Sequence, residues 1–146
     1  MDKKMNGNAE LLNFIYQNSQ MGVDTINQLL DIVREHEFKE HLEKQVRGYE
    51  EIHKEAKELL NQNGYDEKGI TAFEKIRTYL MINLQTLADK SSSHIAEMLI
   101  IGSNMGMIDA IKNIRKYKDV EGHIVALMVR LKDFEENNIE RLKVFL

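Results

Sequence analysis

Two stretches of this chain carry one helical-hairpin pattern at a constant spacing. At a shift of 85 residues, Asp24 falls on Asp109, Ile26 on Ile111, Leu42 on Leu127, Val46 on Leu131 and Tyr49 on Phe134. At the same shift Glu50 falls on Glu135, Glu51 on Glu136 and Glu55 on Glu140, and similar pairs such as Val23 with Ile108 fill the spaces between. Amphipathic helices share some matches through periodicity alone. One shift that holds across two helices and the turn between them is harder to obtain by chance. It predicts an all-α chain made of two repeated hairpins, 8–62 and 92–146, within a single domain spanning 1–146.

Composition narrows the chemistry. The chain has no Pro, which favours long uninterrupted helices, and no Cys, which excludes disulfides, thiolate metal sites and cysteine nucleophiles. That absence suits a reducing cytoplasm, the expected location. Charged residues make up 30% of the chain, interleaved in sign with a net charge of −4. There is no basic stripe for a phosphate backbone, so nucleic acid is not an expected partner. Apolar runs such as Met98 to Ile101 are far below the roughly 20 residues of a membrane span. Met1-Asp2-Lys3-Lys4 leads into Asn and Gly rather than an apolar core, so no cleaved leader is expected.

Four long helices and a helical connection follow from the spacing. Helix A, about 8–35, turns Leu12, Ile15, Ser19, Gly22, Ile26, Leu29 and Val33 inward. Helix B, 38–62, ends at Asn63-Gly64 and carries Leu42, Gln45 or Val46, Tyr49, Ile52 or His53 and Ala56. The crossover, about 66–90, has an apolar face of Phe73, Ile76, Leu80, Leu84 and Leu87. Helix C, capped by Ser91-Ser92-Ser93 and running to about 118, is expected to turn Ile101, Asn104, Ile108 and Ile111 inward. Helix D runs to the C-terminus with Ile124, Leu127, Leu131, Phe134, Asn138, Leu142 and Phe145 on its face.

With its helix order, helical crossover and duplicated Asp and aromatic-Glu-Glu positions, the chain resembles the ferritin-like superfamily of four-helix bundles. It is most similar to small uncharacterised bacterial families of that fold, some associated with stress or spore coats. Di-iron members take one Glu from each of two helices and a Glu-x-x-His pair from each of the other two. Residues three apart on a helix point the same way, so carboxylate and imidazole converge on the metals. The resemblance therefore implies a metal site of iron, manganese or zinc between helices B and D, formed by Glu50, His53, Glu135 and Asn138. The set is reduced: the corresponding inward places are Ser19 and Gly22 on helix A, and Asn104 and Met107 on helix C. Asp24 and Asp109 lie close in height but turn outward and to the flank.

A second reading of the same residues is a self-satisfying hydrogen-bond cluster of Glu50, Gln45, His53 and Asn138 around a buried water. His94 and Glu97 break the repeat, and an ion pair from Glu97 to Arg141 is expected there. Met98, Met105 and Met128 read as core filling or as the lining of an adaptable apolar pocket. No catalytic residues emerge. Two functions remain open: a reduced metal-binding bundle, or a non-catalytic helical interaction module. In either, the apolar groups nearly all round helix C point to a homo-oligomer, a dimer.

Overall fold

The computed structural model describes residues 6–66 and 74–146. Among them are five α-helices and no strands: α1 (Gly7–Leu30), α2 (His36–Gln62), α3 (Glu74–Gln85), α4 (Ser92–Lys116) and α5 (Gly122–Leu142), with a 3-10 turn at Lys143–Phe145. The expected start of the crossover helix, including Ile70 and Phe73, lies outside the described residues. No helix among the described residues is long and apolar enough to cross a membrane.

Local chemistry fixes several of the ends. The Asn6 side chain accepts from the amides of Asn8 and Ala9 and caps α1. Ser91 does the same for α4 through His94 N at 3.2 Å. At the end of α2 the chain turns through Gly64 at φ +72°, in the left-handed region that glycine tolerates without strain.

α1 packs chiefly on α2, and α4 on α5, so each sequence hairpin is a hairpin in space. The hairpins meet through α1 with α5, α2 with α5 and α1 with α4. Directions follow from the contacts. A Cβ at Gly7 would touch Val120 and Tyr117, and one at Gly106 would touch Asn18, so α1 and α4 are antiparallel. Phe38 stacks on Phe145 and Glu55 pairs with Arg130, so α2 and α5 are antiparallel too. α2 and α4 therefore run the same way, and α3, which links them in sequence, packs on α4. Ile76 and Leu80 of α3 are buried, and Leu80 seats against Gly102 on α4.

The expected faces hold for helices A, B and most of D. Helix C differs. Ile101, Asn104 and Ile108 are exposed; the buried residues of α4 are Ile95, Ala96, Met98, Leu99, Gly102, Ser103, Gly106 and Ala110. Hydrophobicity points to the isoleucines, but space decides the matter. α4 turns its small residues inward because α3 and the large side chains of α2 and α5 fill the volume there.

Burial also refines the register between the hairpins. Leu11, Leu12, Phe14, Ile15, Ser19 and Ile26 match Ile95, Ala96, Met98, Leu99, Ser103 and Ala110, a shift of 84. Phe38, Leu42, Gln45, Tyr49, Ile52 and Ala56 match Ile124, Met128, Leu131, Glu135, Asn138 and Leu142, a shift of 86. The single shift of 85 in the sequence lies between the two. In space, the counterpart of Glu135 on α2 is Tyr49 rather than Glu50.

Candidate functional site

Half-way along the bundle, polar side chains replace the apolar core. Asn18 and Ser19 of α1, Gln45 of α2, Ser103 of α4 and Glu135 and Asn138 of α5 are all buried, and so is Tyr49. The backbone makes room for them. A Cβ at Gly22 would lie 2.7 Å from the Tyr49 ring, and one at Gly106 would meet Asn18 Nδ2 at 3.0 Å and Glu135 Oε2 at 3.1 Å. Without side chains at 22 and 106, the large groups of α2 and α5 reach across to α1 and α4.

The Tyr49 hydroxyl donates a hydrogen bond to Glu135 Oε1. Burial pushes the Glu135 acid up to about 8, against a smaller opposing effect of the Tyr49 hydrogen bond. Near neutral pH the carboxyl is therefore mainly protonated. Burial also raises the Tyr49 phenol, the Glu135 charge adds to it, and Ser103 and Gln45 draw it back down. Phe134 meets the Tyr49 ring edge-on at 4.9 Å and fixes it sideways. A cavity of about 30 Å3 touches Asn18, Gln45, Tyr49, Ser103 and Glu135, room for about one water-sized molecule. The Asn18 amide nitrogen on its wall is buried without a hydrogen-bond partner.

Of the four metal candidates, Glu135 is in this centre, and Asn138 is buried one turn further along α5, where it lines a groove facing α2. Glu50 is exposed on the far side of α2, and His53 is half-buried, stacked on Tyr16 of α1 at 4.5 Å. Among the described residues no three His, Cys, Asp or Glu side chains come together to hold a metal, so Glu50, His53 and Glu135 are not one donor set. The centre holds one carboxyl, Glu135, which accepts from the Tyr49 hydroxyl, with the Asn18, Gln45 and Ser103 side chains around it.

Glu50 and His53 leave the centre because of register: with α2 shifted by 86 instead of 85, each turns one residue, about 100°, away from the axis. Asn18 and Ser103 are the site residues that repeat matching and metal spacing both pass over; Tyr49 is matched with Phe134 and placed inward, but not read as part of a site. The signal that finds them is the run of small residues on α4, which marks the inward face. At the other end of the bundle, Glu97 is exposed beside Tyr79 of α3, whose phenol is raised by burial and by the Glu97 charge. Arg141 instead stands near His41.

Comparison with family models, with curated proteins and with solved structures finds no match.

Proposed function

We propose that this chain is a ferritin-like bundle that works as a non-catalytic interaction module, associating with a second copy of itself through the outer face of α4. The observation that carries the reading is the pair Ile101 and Ile108. They are 40% and 44% exposed, two turns apart on one face of α4. Such a spacing is the seam of a helix pair. The cavity at the polar centre, about 30 Å3, has room for about one water-sized molecule, which favours a surface role over a buried substrate site. The up-down-down-up order, with α3 as the long connection, supports the ferritin-like ancestry. The paired burial patterns of the hairpins support the duplication.

The face is self-complementary in charge. Glu97 lies one turn before Ile101 and Lys112 one turn after Ile108, both exposed. Two α4 helices related by a two-fold axis near Asn104 and Met105 would run antiparallel. Each Ile101 would then meet the partner's Ile108, and each Glu97 the partner's Lys112. Closed two-fold contacts of this kind pair unlike residues reciprocally.

Charge reversal tests the arrangement. Glu97→Lys and Lys112→Glu should each weaken self-association about tenfold or more in low salt, followed by sedimentation equilibrium. An equimolar mixture of the two variants should restore the dimer. A wild-type chain that stays monomeric to millimolar concentration would sink the dimer. Metal loading tests the other half. Protein loaded with iron, manganese or zinc should retain much less than one ion per chain. Stoichiometric metal that is lost in Glu135→Ala would return the centre to the metal-site reading.

A further inference from the structure

A groove between α2 and α5, on the outer side of the polar centre, has a volume of about 170 Å3. His41, Lys44, Gln45, Phe134, Asn138 and Arg141 line it, with no acid among its lining residues. Of the acids close by in sequence, Glu40 pairs with His36, Glu136 with Lys132 and Glu140 with Lys143, Glu135 is buried against Tyr49, and Glu37 and Glu43 lie outside the lining. Neither Lys44 nor Arg141 forms a salt bridge among the described residues. Three basic side chains thus face one recess without a countercharge.

A second feature points inward to the same place. Asn138 is 4% exposed, lines the groove, and its Nδ2 amide has no hydrogen-bond partner. A buried amide donor left without a partner is costly, so a ligand with acceptor oxygens would recover a real loss. His41 Nε2 lies 3.0 Å from Gln45 Oε1, a contact that needs the proton on Nε2. Burial lowers the His41 imidazole, and the Arg141 and Lys44 charges lower it further against the Gln45 contact. The cluster is therefore strained toward losing a proton, and an anion would relieve it.

We propose that this groove binds a small oxyanion of the phosphate class, held by Arg141 and Lys44 as countercharges, by the Asn138 amide as a buried donor, and by His41 at its side. The tetrahedral oxygens of phosphate suit several donors converging from two helices, and the guanidinium offers a forked pair. The groove shares Gln45 with the polar centre but is separate from the face of α4, so it stands whether or not the chain dimerises.

The test is a titration of the full chain with inorganic phosphate at constant ionic strength, following the His41 ring by NMR. A saturable shift is expected, with the His41 pKa rising as the anion binds, and acetate should bind more weakly. Arg141→Gln and Lys44→Gln, both at exposed positions, should each weaken phosphate about tenfold. Asn138→Leu should weaken it while leaving the fold intact by urea denaturation. A shift that grows linearly with phosphate, or one that Arg141→Gln leaves unchanged, would overturn the site.

Discussion

Between pH 5 and pH 8 the folded protein is expected to lose on the order of 3 kcal/mol of stability through Glu135 alone. The sign follows from the two proton affinities. The Glu135 acid ionises near 4.5 when unfolded, but burial holds it protonated to about 8 in the native bundle. Below pH 4.5 both states carry the proton and the stability from this group is complete. Above it the unfolded chain releases a proton that the native chain retains. Stability then falls by about 1.4 kcal/mol per pH unit until the native acid itself ionises. His41 acts oppositely: its native imidazole is lowered, so its contribution is present above its unfolded value of 6.5 and is lost as the pH falls. Glu135→Gln separates the two. The amide oxygen can still accept from the Tyr49 hydroxyl, and nothing at position 135 then titrates. Urea midpoints measured from pH 5 to 8 should decline in the wild type relative to the variant, which should be the more stable protein at pH 8. Parallel curves would mean that Glu135 is ionised in the native state and that a positive partner reaches it.

How much of this was legible in the sequence depends on which helix is asked. α1 and α2 show their faces directly, because Leu12, Ile15, Ile26 and Leu29, or Leu42, Tyr49 and Ala56, are both the apolar and the buried positions. α4 hides its face. Its interior positions are Gly102, Ser103 and Gly106, while Ile101 and Ile108 face outward, so a rule that sends the largest apolar groups inside chooses the wrong side. The centre fails to read for a related reason. Glu50 and Glu135 align at the shift that matches identities, yet the shift that matches burial sets Tyr49 against Glu135 and Ile52 against Asn138. Identity between two stretches is weighed letter by letter, whereas packing answers to volume, and one residue of slip rotates a helical side chain by about 100°. What the sequence does convey is that acids are missing from helices A and C at mid-height. Ser19, Gly22, Ser103 and Gly106 stand there instead, and their small size admits the Tyr49 ring.

That dependence predicts a reversal of sign at Gly22. Glycine within a helix is ordinarily worse than alanine by up to about 1 kcal/mol, through backbone entropy. In this protein Gly22→Ala is expected to destabilise, by about 1–2 kcal/mol net. The added Cβ would stand 2.7 Å from Tyr49 Cδ2 and Cε2 and 2.8 Å from Cγ, closer than real Cβ contacts come. The ring is not free to yield, being held edge-on by Phe134 and anchored through its hydroxyl to Glu135. Relief must come from separating α1 and α2, and overpacking of that kind costs about 1–3 kcal/mol, enough to outweigh the helix-propensity gain. Removing the ring removes the obstacle. In a Tyr49→Leu background the same Gly22→Ala change should be neutral or stabilising by up to about 1 kcal/mol. A double-mutant cycle by urea denaturation would thus give a coupling of about 2–3 kcal/mol between positions 22 and 49. If Gly22→Ala stabilises the wild type, the Tyr49 ring does not cross to α1, and the polar centre built around its hydroxyl must be arranged differently.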